Sequence, residues 1–117
     1  MVLDLVLLGG PPPERCANLD PMLEQTIDAF DQELTRAGFQ EILTKHFAHG
    51  YRAEPHTHSF DVSVLVTTGR FVLTRDGETR AYETGQRFEF PAGQLHAEGV
   101  GPDGATLRLG RRHGTNP

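Results

Sequence analysis

Little in this chain suits a crosslinked, exported or nucleic-acid-binding protein. Its 117 residues hold one cysteine, Cys16, so no intramolecular disulfide can form. A lone thiol suits a reducing compartment, and the expectation is a cytoplasmic protein. Positive charge is scarce: 11 Lys and Arg stand against 16 Asp and Glu, a formal charge of −5. With a sequence pI near 5.6 the chain lacks the basic footprint of a nucleic-acid partner. Long apolar runs are absent as well, whereas a membrane span needs about 20 such residues. The opening MVLDLVLL is short, carries Asp4, has no basic start and runs into Gly9-Gly10-Pro11-Pro12-Pro13 instead of a small-residue cleavage site. An export signal is therefore not expected. Residues 1–19 read as an added edge strand, as a disordered tail, or as the product of a start codon placed too early.

What is plentiful is turn-forming sequence. Thirteen glycines and eight prolines lie mostly between short apolar runs, the pattern of an all-β sandwich or barrel. The length allows one ordinary hydrophobic core, so one domain is expected over 20–110, followed by a polar, fraying tail at 111–117. Asp20-Pro21 supplies an N-cap and the proline suited to a first helical turn. Leu23, Ile27, Phe30, Leu34 and Ala37 then form one apolar face, and Gly38 ends it, which predicts a helix over Pro21–Ala37 packed on the outside of the sheet. Its other face, Glu24, Gln25, Asp28, Asp31, Gln32 and Arg36, is expected to be solvated. Beyond Gly38 the period becomes alternating. Strands are predicted over Phe39–Phe47, Tyr51–Glu54, Ser59–Thr67, Arg70–Arg75, Thr79–Tyr82, Gln86–Phe90, Leu95–Val100 and Thr106–Gly110. Asp76-Gly77 closes a hairpin, and Gly101-Pro102-Asp103-Gly104 is read as the turn between the last two strands.

Two stretches carry the chemistry. The first runs from Gly50 to His58 and ends in His56-Thr57-His58, with Gly69 eleven residues further on. Residues two apart on a strand share a face, so His56 and His58 can present two imidazoles to one ion. The second runs from Gly85 to His96 and contains Pro91-Ala92-Gly93, a turn that would aim His96 inward. Neutral imidazole binds zinc, iron, nickel or copper, and three such donors leave coordination positions open. His46, His49 and His113 fit neither stretch and read as surface or strand-end residues. Phe60, Phe88 and Phe90 read as core that also walls a pocket.

The two stretches together resemble the paired motifs of the cupin superfamily, in its small single-domain, conserved-barrel form. Gly50, five residues and then His56-x-His58 match the first motif; Gly85, five residues, Pro91-x-Gly93, two residues and His96 match the second. The resemblance covers about Gly50 to Val100. It implies a small jelly-roll-like β-barrel, commonly a homodimer, with a divalent metal bound inside one end by His56, His58 and His96. One departure matters. The glutamate of the first motif falls on Val62, or on Ser63 with the longer spacing. Asp61 could replace it only if a bulge near Phe60 turned it inward, because His58, Phe60, Val62, Val64 and Val66 form the inward row. Glu98, two residues after His96 and on its face, is better placed as a ligand or as a catalytic acid or base. Alternatively it pairs with Arg108 or faces solvent.

The resemblance extends to function. Cupins with three histidines and no carboxylate include iron(II) dioxygenases acting on thiols or β-diketones, so the expectation is a metal-dependent, dioxygenase-like enzyme for a small organic substrate. Iron(II) is favoured for that chemistry, with zinc, nickel, manganese or copper open. Three neutral donors leave the ion its full charge, which favours an anionic or enolisable substrate. The competing expectation is a sensing cupin that holds a small ligand without transforming it.

Overall fold

A computed structural model describes residues 21–114, a helix and six strands. Helix α1 spans Pro21–Arg36; the strands are β1 (Glu41–Phe47), β2 (Arg52–His56), β3 (Phe60–Arg75), β4 (Glu78–Glu83), β5 (Arg87–Phe90) and β6 (His96–His113). Asp20 and residues 1–19 lie outside the described residues, so the expected N-cap and edge strand do too. The apolar stripe of α1 buries Phe30 and Leu34 against Leu65 on the outer face of β3, with Ile27, Phe39 and Ile42 around them. Each such side chain contributes about 1.5–3 kcal/mol by leaving water. After Arg36 the chain turns through a Schellman-type cap: Gly38 N–H donates to Thr35 O at 3.1 Å and Phe39 N–H to Leu34 O at 3.0 Å. Asp31, expected to be merely solvated, instead accepts both arms of the Arg108 guanidinium at 2.9 and 2.8 Å and ties the helix to β6.

Every strand pairing is antiparallel, and β3 and β6 lie side by side along nearly their whole length. On the far edge of β6, β1 pairs with its C-terminal half and β2 with its N-terminal half. On the far edge of β3, β5 pairs with the first half and β4 with the second. The result is two four-stranded layers, β1-β6-β3-β5 and β2-β6-β3-β4, joined through the two long strands in a jelly-roll-like barrel. Their inner faces meet in one core, where Phe88 from the first layer lies 5.7 Å from Phe71 and 4.6 Å from Tyr82 of the second, centroid to centroid.

The long strands differ from the sequence expectation in an instructive way. Four separate strands were expected where two continuous ones run, because the turn-like residues between them do not reverse the chain. Opposite the single residue Arg70, β6 spends Gly101-Pro102-Asp103-Gly104 as a wide bulge, since Gly69 faces Ala105 and Phe71 faces Val100. Gly69 and Gly104 have φ of 76° and 75°, and a side chain at Gly69 would collide with the Gly104 carbonyl. Only glycine lets the two backbones approach that closely. An extra residue on β3 between Val66 and Thr68 shifts the pairing by one. The inward set therefore changes from Val62, Val64 and Val66 to Phe71 and Leu73. Asp76-Gly77 makes the expected tight turn, both residues having positive φ. At the C-terminal end β6 continues to His113, three residues beyond the expected strand end, pairing Arg111 with Glu41 and Arg112 with Asp61.

Candidate metal centre

Strand β2 ends at His56, so His58 stands in the connection to β3 and does not share a strand face with it as expected. The two imidazoles converge nonetheless, their centroids 4.8 Å apart, and His96 at the start of β6 lies 4.4 Å from the first and 5.0 Å from the second. His96 is only 1% exposed. The Pro91-Ala92-Gly93 turn that delivers it is pinned at two points. Gly93 N–H donates to His58 O at 2.9 Å, and Ala92 N–H donates to Asp61 Oδ1 at 2.8 Å. Asp61 Oδ2 accepts from Arg112. Asp61 is thus a bracket for the turn, facing away from the histidines, and the bulge that would have made it a ligand is not formed. Its carboxyl is held below the ordinary range by the Ala92 N–H and then by Arg112.

Glu98 joins the three histidines. One donor atom from each of His56, His58, His96 and Glu98 can be chosen so that all lie within 4.8 Å of one another. Glu98 Oε2 is 3.1 Å from His96 Nε2 and 3.7 Å from His56 Nε2, while its Oε1 accepts from Tyr51 Oη at 2.9 Å. The expected alternative partner, Arg108, is engaged with Asp31 and Thr44. Val62, at the position of the family glutamate, is buried in the apolar core.

The imidazole orientations are set locally. His56 Nδ1 lies 2.7 Å from Glu54 O and His96 Nδ1 lies 3.0 Å from Gln94 O, in each case the carbonyl two residues earlier. A carbonyl can only accept, so Nδ1 carries the proton and Nε2 of the neutral ring presents a lone pair. In the neutral tautomer both Nε2 atoms turn toward Glu98 Oε2. An ion about 2.0–2.2 Å from each donor spaces its donors within the range found here. The described donors therefore fit a divalent metal. Burial, followed by the neighbouring His56 and His96, holds His58 below its ordinary value, which weakens the proton's competition with a metal for the ring.

The centre opens into the core. A cavity of about 120 Å³ is lined by His56, His58, Tyr51 and Glu98 at one side, by apolar walls from Val62, Val64, Phe71, Phe88, Phe90, Leu107 and Leu109, and by Lys45, Phe47 and Arg111. Phe60 stacks on His58 at 4.8 Å and Phe90 lies 4.2 Å from His96. Tyr51, Lys45 and Arg111 went unassigned in the sequence. Strand parity carried a signal for two of them: Lys45 alternates with Leu43 and Phe47, and Arg111 with Leu107 and Leu109. His46, His49 and His113 stay outside the cluster, as expected; His46 meets Thr106 and His113 meets Glu41.

The cupin domain family matches residues 44–106, more than half of the chain and both histidine stretches. This chain belongs to the cupin family. Among solved structures, this cupin is similar to a protein of unknown function from Rhizobium leguminosarum, with 23% identity over 62% of this chain and 69% of that one and a TM-score of 0.58. It is similar to KdgF from Halomonas sp., with 25% identity over 63% and 69% of the two chains and a TM-score of 0.53. A RmlC-like cupin from Shewanella frigidimarina shares 22% identity over 68% and 70%, with a TM-score of 0.57. No curated protein matches the chain. Among the described residues no helix is long and apolar enough to cross a membrane.

Proposed function

We propose that this cupin is a mononuclear divalent-metal enzyme acting on a small organic substrate, with His56, His58, His96 and Glu98 as the protein ligands. The observation that carries the reading is the convergence of one donor atom from each of His56, His58, His96 and Glu98 within 4.8 Å, with Nδ1 of His56 and of His96 each held by a backbone carbonyl so that Nε2 turns to Glu98. An ion held there supplies Lewis-acid chemistry and, as iron(II), the oxygen-activating chemistry of a dioxygenase-like cupin. The chain's own residues do the rest. Tyr51 clamps one carboxylate oxygen so that the other stays aimed at the centre. Burial first, and then the bond to Glu98, pushes Tyr51 up to about 12, so it remains a donor at any working pH. Phe60 and Phe90 shield the imidazoles, and the apolar cavity beside them takes the substrate's carbon skeleton. In this reading Glu98 is a ligand, and the role of proton acceptor suggested by its position in the sequence falls away.

Elemental analysis of purified protein tests the centre: an equimolar divalent ion is expected in the wild type and its loss in His96→Ala. Oxygen consumption and turnover by metal-loaded protein test the enzyme. Inactivity across oxygen-dependent and hydrolytic substrate panels, with small ligands still bound through the ion, would instead make this a binding or sensing cupin.

A further inference from the structure

The cavity lining carries more positive charge than the protein compensates. Lys45 lies on β1 between the inward residues Leu43 and Phe47 and pairs with Leu107 across the sheet. Its Nζ sits 5.3 Å over the Phe47 ring, and among the described residues no carboxylate pairs with it. Arg111, on β6, is partly offset by Glu41 at 3.5 Å and lies over Phe60, 5.1 Å from the ring centroid. It lines the same cavity as His56 and His58. Glu98 is the cavity's one lining carboxylate among the described residues, and it is already engaged by Tyr51 and the imidazoles. A half-buried lysine that lines a pocket and has no counter-ion among the described residues is free to meet an anion that enters it.

We propose that Lys45, supported by Arg111, is the subsite for a carboxylate of a small organic acid whose other end reaches the metal centre. The proposal deepens the enzyme reading above and rests on it for the second anchor. Size narrows the ligand. A cavity of about 150 Å³ holds the six non-hydrogen atoms of benzene, so about 120 Å³ encloses roughly five, and a slightly longer molecule extends through the open mouth. Malonate and succinate fit on that footing with one end at the mouth, while nucleotides and sugar phosphates exceed it. The walls of Val62, Val64, Phe88 and Leu109 favour an anion with a carbon skeleton over an inorganic one, which would leave them wet.

Calorimetric titration of malonate, succinate, the neutral malonamide and inorganic phosphate into wild type, Lys45→Met and Lys45→Arg tests this, with metal content and melting temperature recorded for each protein. The wild type is expected to bind malonate or succinate, to ignore malonamide, and to bind phosphate more weakly. Lys45→Met should weaken carboxylate binding by about tenfold or more with metal content unchanged, the loss of a charge-assisted contact, and Lys45→Arg should restore most of it. Lys45→Gln replaces the methionine variant should that one fail to fold. Equal affinity in wild type and Lys45→Met, binding of malonamide, phosphate bound as tightly as malonate, or no carboxylate binding by the wild type would each overturn the subsite. Wild-type protein that takes up no metal overturns the metal reading separately. Carboxylate binding that still depends on Lys45 in that protein would leave the subsite standing.

Discussion

Glu54 and Gln94 contribute to the centre through their backbone carbonyls alone, each holding Nδ1 of the histidine two residues later. That places the two imidazole orientations under local control, while the carboxylate's orientation depends on a distant partner, Tyr51, 47 residues from Glu98 in sequence. Tyr51→Phe removes the clamp and keeps the ring. Metal should still bind, with affinity lowered by about tenfold to a hundredfold, the usual effect of losing a group that orients a ligand; chelator competition reads it. Asp61 gives a second prediction. Its carboxyl is lowered from an ordinary 3.8 in the folded state, so it stabilises the fold fully above that value, and the contribution disappears as pH falls through the lower folded value. Asp61→Asn should cost about 1 kcal/mol at neutral pH. The difference from wild type should vanish in strong acid, as urea midpoints across pH would show. Lys45 and Asp61 were both visible in the sequence. Their partners were not, because what a charged side chain meets depends on strands far away in the chain.

Helix α1 and strand β3 show how much of an element periodicity can determine. The stripe through Phe30 and Leu34 placed the buried face of the helix, and the cap at Gly38 ended it within one residue of expectation. Alternation along the first half of β3 likewise sorted Val62, Val64 and Val66 inward. It left Leu65 facing outward without showing that the outside there is dry: Leu65 is 0% exposed because Phe30 and Leu34 cover it. Leu65→Ala should therefore cost about 2–5 kcal/mol in chemical unfolding, the range for a buried leucine whose cavity cannot collapse. The metal content of the folded protein should stay unchanged, since this contact lies on the opposite face from the histidines.

At the scale of the molecule the decisive place is the corner where β3 and β6 bend together at Gly69 and Gly104. There one pair of strands passes from one layer to the other, and the inward parity of each strand changes with it. His96 and Glu98 belong to one side of that corner and Arg111 to the other, yet Glu98 and Arg111 line one cavity. Gly69→Ala puts a methyl group against the Gly104 carbonyl with φ in the left-handed region. It should destabilise the protein by about 2 kcal/mol or more and weaken metal retention together with the melting temperature. A variant that melts like wild type would show that the corner can relax without the close approach.

The sequence by itself determined the local terms: the helix face, the alternating strands, the Asp76-Gly77 turn, and the two histidine stretches whose spacing marks a cupin. Those depend on residues within a few positions of one another, where the period of the backbone decides which side chains share a face. Tertiary structure alone decided that Gly101 to Gly104 is a bulge within a continuous strand, since a turn signal does not reveal whether the chain reverses or merely bends. It also decided that Asp61 braces a turn, that Tyr51 holds Glu98 against the three histidines, and that Lys45 and Arg111 share their cavity. Each is a meeting of strands whose register is set by the packing of the two layers, and no spacing along the chain encodes that register.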